Sequence, residues 1–114
     1  MQIYKILRAT EWSALSEFGT TGGAPIDMED GFIHFSTAEQ VQDTLNMHFA
    51  GETGLVLLAY DADRLGASLK WEPSRGDQLF PHLYSALSLA DVVWHRPITS
   101  TDAGHTLPEG VVAA

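Results

Sequence analysis

The side chains able to do chemistry gather in two stretches. The first is His34, with Ser36 two residues on and Thr37 directly after it. Imidazole and hydroxyl groups both donate and accept hydrogen bonds, and a helix opening at Thr37 adds free backbone N–H groups. Such a trio suits ribose hydroxyls or an amide. The same residues also allow a plainer arrangement, in which His34 bonds to a neighbouring backbone group and Ser36 and Thr37 merely cap the helix. The second stretch is Trp71-Glu72-Pro73-Ser74-Arg75-Gly76 followed by Phe80-Pro81-His82-Leu83-Tyr84, which gathers a carboxylate, a guanidinium, an imidazole and a phenol within a short span. A Glu here can orient a ribose hydroxyl or stabilise an oxocarbenium-like centre, and Arg75 suits a pyrophosphate or a carboxylate by bidentate contact. The competing arrangement is a turn ion pair between Glu72 and Arg75, of a kind that contributes little when exposed.

Other candidates are weaker. His48 shares a helical stripe with Val41 and Leu45, and His95 alternates beside Trp94, so both read as structural. No two candidates have a helical or hairpin spacing that gathers metal ligands, and no metal is expected. Phosphate loops, the dinucleotide glycine fingerprint, paired histidines on one helical turn and nucleophile elbows do not occur. The Trp and Phe residues read as core, with Trp71 and Tyr84 the two aromatic residues placed near a planar ligand.

The elements that must carry these residues follow from periodicity. Ile3 to Leu7 reads as a strand, and Thr10 as the cap of a helix whose buried stripe is Trp12, Leu15 and Phe18. From Gly19 through Asp30 the glycines and Pro25 predict an irregular loop, with Asp27, Glu29 and Asp30 as a solvated acidic patch. Phe32 to Ser36 reads as a second strand with Phe32, His34 and Ser36 on one face. Thr37 and Gln40 fit a capping box before a helix to Gly51 with Ala38, Val41, Leu45, His48 and Phe49 inward. Leu55 to Tyr60 reads as an interior strand, Asp61 to Gly66 as a capped helical turn, Ser68 to Glu72 as alternating, and Ala90 to Pro97 as a last strand. Residues 1–98 thus form one α+β domain, with two early helices and strands clustered late. Thr99 to Ala114 lacks periodicity and reads as a flexible C-terminal tail.

Composition narrows the classes further. Of the 114 residues 45% are hydrophobic and 18% charged, enough apolar material for a core and too little charge for disorder. The absence of cysteine removes disulfides, thiolate nucleophiles and sulfur-ligated zinc. A formal charge of -9 argues against nucleic acid and anionic lipid as partners. The longest apolar run, Leu55 to Tyr60, is far below the roughly 20 residues of a membrane span, and no basic n-region follows Met1. A cytoplasmic protein of open oligomeric state is the expectation.

Four motifs in order, Ile3-Tyr4-Lys5-Ile6, Asp30-Gly31-Phe32-Ile33-His34-Phe35-Ser36-Thr37-Ala38-Glu39-Gln40, Trp71 to Gly76, and Phe80 to Tyr84, resemble the small bacterial DUF952 family from Met1 to about Ile98. That family is similar in fold to the ADP-ribosyltransferase superfamily, in which two small antiparallel sheets splay around a cleft for NAD. The resemblance implies an ADP-ribosylation-like split sheet and NAD as a bound substrate. His34 matches the strand-borne residue that holds the nicotinamide ribose. Glu72 and His82 become the candidate catalytic pair, and Ser36, Thr37, Arg75 and Tyr84 join His34 as candidate nucleotide contacts. The superfamily's late Glu near the last strands has no counterpart here. A non-catalytic module that recognises a small metabolite or a protein partner therefore stands beside ADP-ribosyl transfer.

Overall fold

The computed structural model describes residues 1–111. β1 (Gln2–Leu7) is buried along nearly its whole length, Lys5 included. It leads into α1 (Ala9–Phe18), which starts where the Arg8 backbone N–H donates to the Glu11 carboxylate at 2.9 Å, half of a capping box. Thr10, the expected cap, therefore lies inside the helix. Leu15 is buried and Trp12 half-buried, but Phe18 is 72% exposed, contrary to the expected stripe. A spacing of three residues falls about 60° behind the helical period at each step, so the third member of the series rotates off the core face.

The expected loop after Gly19 contains a helix. β2 (Thr20–Thr21) is followed by α2 (Pro25–Asp30), with Pro25 in its first turn, where a missing N–H is harmless. Asp27 then accepts from the Ala24 backbone N–H at 2.7 Å, and Gly31, in the left-handed conformation at φ 82°, ends the helix. β3 (Ile33–His34) is shorter than the sequence suggests. Its continuation at Ser36 pairs with Tyr4 of β1 as a single bridge. Gln40 accepts from the Thr37 backbone N–H at 3.0 Å, one half of the expected capping box, and α3 (Val41–His48) follows.

β4 (Val56–Asp61) is the interior strand, flanked by β1 and, after α4 (Ala62–Leu65), β5 (Leu69–Pro73), β6 (Leu79–Leu83) and β7 (Leu87–Ser88), by β8 (Val92–Pro97). This antiparallel sheet has the order β1-β4-β8, and a second has the order β3-β6-β5. One face of the first sheet packs with Leu15, Ile33, Phe35 and Leu83, that is, against α1 and the second sheet. The other face packs Tyr4, Ile6, Leu57 and Ala59 against Val41 and Leu45 of α3. The fold is α+β with separate antiparallel sheets, and β1 joins the two three-stranded ones through the Tyr4–Ser36 bridge.

The stretch after Ile98 departs from a featureless tail. β9 (Thr99–Thr101) and β10 (Gly104–Thr106) form a hairpin, and Leu107 and Val111 pack against the Tyr4 side of the core. β-branched threonines around a turn, with two spaced apolar anchors, supply the local reason. Residues 112–114 lie outside the described part.

Candidate functional site

The site is built on the second sheet. His34 and His82 sit opposite each other in the β3–β6 register, and Lys70 and Glu72 of β5 face His82 and Phe80. Period-two alternation puts Phe32, His34, Lys70, Glu72, Phe80, His82 and Tyr84 on a shared face. Phe32 stacks on the His82 ring at 4.1 Å and lies 4.6 Å from that of His34, and the two imidazole rings are 5.5 Å apart.

Each histidine has its own carboxylate. Asp27 is buried and accepts four hydrogen bonds. The Lys5 ammonium and the Ala24 N–H reach Oδ2, both at 2.7 Å, while the His34 backbone N–H at 2.9 Å and His34 Nδ1 at 2.7 Å reach Oδ1. Burial pushes the Asp27 pKa up, but the His34 hydrogen bond and the Lys5 charge outweigh it and bring it down to about 2. Burial lowers the Lys5 ammonium below its usual 10.5, with the Asp27 charge opposing. Lys5 also donates to the His34 carbonyl at 3.0 Å, so one side chain ties β1 to both α2 and β3. His34 Nε2 stands 2.9 Å from Asp30 Oδ2. The patch expected to be solvated thus contains the most buried carboxylate of the site, because Asp27 is the counter-charge of a lysine in the middle of an apolar strand.

Glu72 accepts from His82 Nδ1 at 2.9 Å and from the Tyr84 hydroxyl at 2.6 Å. These bonds, Tyr84's first, lower the Glu72 pKa, and the same contact raises that of Tyr84. Since a carboxylate only accepts, His82 carries its proton on Nδ1. Its Nε2 has no partner among the described residues. The hairpin that makes this pair turns through Arg75–Asp77, with Gly76 at φ 66°, and sets Glu72 diagonal to His82.

Beside these residues lies a cavity of about 530 Å³, walled by Lys5, Arg8, His34, Ser36, Arg75 and His82, with Phe35, Phe49 and Phe80 as apolar lining. Arg75 does not pair with Glu72. Its guanidinium donates to Thr44 Oγ1 at 3.2 Å and packs 5.0 Å over the Phe80 ring. Thr44 Oγ1 in turn meets Ser36 Oγ at 3.0 Å, forming a chain of two hydroxyls and a guanidinium along one wall. Arg8 is held at the rim by Glu52, at 2.7 and 3.1 Å.

Of the expected site residues, His34, Ser36, Arg75 and His82 share the cavity. Thr37 is buried in the turn before α3 and is not part of the lining, and Glu72 stands behind His82. Tyr84 and Phe32 border a separate, shallower hollow beside Met28 and Gly31, and Trp71 belongs to neither lining. Sequence reasoning missed Lys5, Arg8, Asp27, Asp30 and Thr44, and His48, read as an inward structural histidine, is exposed and lines the cavity. Among the described residues, no group of three or more His, Asp or Glu could hold a metal ion, and no helix is long and apolar enough to cross a membrane.

An α+β fold with separate antiparallel sheets and a cavity lined by β1, the second sheet and α3 defines the class. The chain belongs to the family described as "Protein of unknown function (DUF952)", whose model matches residues 6–95. It is similar to the crystal structure of protein CC0527 from Caulobacter crescentus, 44% identical over 92% of each chain with a TM-score of 0.88. The solution NMR structure of CC0527 gives a TM-score of 0.81 at 44% identity, over 91% of this chain and 90% of that one. No curated protein matches the chain.

Proposed function

We propose that the cavity binds an anionic ribosylated nucleotide of the NAD or ADP-ribose kind, a free small molecule met in the cytoplasm. The observation that carries this reading is the charge of the walls. Three of the chain's six Lys and Arg residues line the cavity against a single acidic residue, Asp30, in a protein whose formal charge is -9. Lys5 and Arg8 are neutralised by carboxylates. Arg75 has no carboxylate partner among the described residues, so its remaining N–H donors are available to a pyrophosphate. Ser36 brings a hydroxyl to the same space, the His34 ring borders it with both nitrogens held by Asp27 and Asp30, and three phenylalanines offer apolar walls for a base. The volume falls within the roughly 300–1,000 Å³ of small-molecule sites.

Two three-stranded antiparallel sheets flank the cavity, an arrangement that supports the ADP-ribosyltransferase-like split sheet implied by the resemblance. Glu72 lies outside the lining, which favours binding over direct carboxylate stabilisation of a departing ribosyl group.

The test is an NMR titration with NAD and with ADP-ribose. Amide shifts are expected at His34, Ser36 and Arg75, and Arg75→Ala should weaken binding by about 10- to 100-fold, the value of one or two charge-assisted hydrogen bonds. Silence at those amides under millimolar ligand removes the reading.

A further inference from the structure

We propose that Arg8 is a second anion contact of the cavity, kept masked by Glu52 until a ligand phosphate displaces that carboxylate. The inference rests on the anionic part of the nucleotide reading and adds to it a residue and a competition that set which anions the site accepts.

The three cations of the cavity wall differ in how firmly they are committed. The Lys5 ammonium donates to Asp27 Oδ2 at 2.7 Å and to the His34 carbonyl at 3.0 Å. With side-chain exposures of 5% and 0%, the Lys5–Asp27 pair cannot open without stranding a charge in the core. Arg75 has no carboxylate partner among the described residues. Arg8 lies between these extremes. Its Nε and Nη2 donate to the two Glu52 oxygens at 2.7 and 3.1 Å, and its Nη1 to Glu11 at 3.3 Å. Yet the Arg8 side chain is 39% exposed and that of Glu52 35%. An ion pair so open to water is worth little, so a more highly charged anion entering the cavity can take the place of the carboxylate.

Three observations tie this exchange to the cavity. Arg8 belongs to the lining and Glu52 does not, so the guanidinium is held from outside the space that it borders. Each arginine also lies against a phenylalanine of the same lining, Arg8 at 4.9 Å from the Phe49 ring centre and Arg75 at 5.0 Å from that of Phe80. The aromatic rings back the planar guanidinium groups and leave their N–H edges for an anion. The mask itself is built into the fold. The Glu52 carbonyl accepts from Ser100 Oγ at 3.3 Å and from His105 Nε2 at 2.7 Å, so the β9–β10 hairpin pins the residue that holds Arg8. Two fork-shaped donors, one open and one released by exchange, suit a diphosphate better than a single carboxylate.

Calorimetric titration of the full chain with inorganic pyrophosphate, and in parallel with ADP-ribose, tests the mask. Glu52→Gln should tighten pyrophosphate binding by about 2- to 5-fold, the worth of a half-exposed pair that no longer has to be broken. Arg8→Gln should weaken it by about 10-fold, as expected for one charge-assisted contact. The two changes should not add: the double variant should bind like Arg8→Gln alone, because Glu52 acts only through Arg8. In the wild type the Arg8 Nε–H NMR signal should move when pyrophosphate is added, and Glu52→Gln should move it without ligand. Tighter binding by the double variant than by Arg8→Gln makes Glu52 a long-range charge and overturns the mask. An Arg8 signal that stays in place at saturating pyrophosphate overturns it as well, and so does absence of pyrophosphate binding in both the wild type and Glu52→Gln. The expected pyrophosphate pattern without ADP-ribose binding keeps the mask and removes the nucleotide reading. ADP-ribose binding that is indifferent to both residues does the reverse.

Discussion

The two carboxylate–imidazole pairs of the site are inside out with respect to each other. In the Asp27–His34 pair the acid is sealed, at 0% side-chain exposure, and the imidazole is 31% exposed. In the Glu72–His82 pair the imidazole is sealed at 6% and the acid is 37% exposed. Where the anion sits determines what its loss does. Solvent can stand in for Glu72 when its charge is removed, whereas nothing can stand in for Asp27, which also balances a buried ammonium and starts a helix. The first pair is therefore part of the fold that places an imidazole at the cavity. The second hangs a polarised imidazole on a fold that does not depend on it.

The sharpest way to break this contrast is to neutralise each acid. Asp27→Asn leaves Lys5 buried without a counter-charge, and should cost about 3–5 kcal/mol and lower the thermal midpoint by roughly 15 °C or more. Glu72→Gln should leave the midpoint nearly unchanged, and equal losses in a calorimetric scan would end the distinction. Gly23→Ala reaches the same acid by another route. Gly23 has φ +86°, and a Cβ there would collide with Asp27 Oδ2, so a loss of about 1–3 kcal/mol in denaturant unfolding is expected.

Acid titration sharpens the contrast further. The Asp27 pKa is about 2 in the fold against a usual 3.8, so the native state binds fewer protons than the unfolded chain between those values. Its contribution, on the order of 2 kcal/mol, is complete above the unfolded value and is lost as the pH falls from about 4 to about 2. Urea midpoints measured across that window should fall steeply, and Gly23→Ala, which disturbs the carboxylate's contacts, should flatten the slope.

Much of this arrangement was legible in the chain. His34 as a strand-borne imidazole, Ser36 beside it and Arg75 on a turn are found together because alternation and turn chemistry are local. The Glu72–His82 pair was within reach as well. A hairpin centred on Gly76 sets residue 72 opposite residue 80, which makes residue 82 its diagonal neighbour. Asp27 was harder to see, since Gly and Pro density around it resembles a loop. Two signals were nonetheless present: Pro25 with Asp27 two residues on is a helix start, and Lys5 in an otherwise apolar strand demands a buried anion. Which anion it meets depends on how α2 folds back over β1, a long-range fact that periodicity does not encode. Phe18 and the hairpin after Ile98 were misread for related reasons, one a drift in helical phase and the other a weak pattern made stable by Leu107 and Val111 packing on a distant core.

The smallest expected effect tests the outer pair alone. Tyr84 is 44% exposed, and its hydroxyl is the first cause of the lowered Glu72 pKa. Tyr84→Phe should leave the fold and its midpoint as they are while the Glu72 carboxylate moves up toward its usual 4.5, followed by carbon-detected NMR of the side chain. The reciprocal shift belongs to the same bond. The Tyr84 hydroxyl lies above its usual 10.0 first because the hydrogen bond it donates to Glu72 holds its proton, with the repulsion between two anions adding to it, so Glu72→Gln should bring it back down. If Tyr84→Phe leaves Glu72 where it is, His82 alone polarises the carboxylate, and the phenol has no part in holding the imidazole toward the cavity.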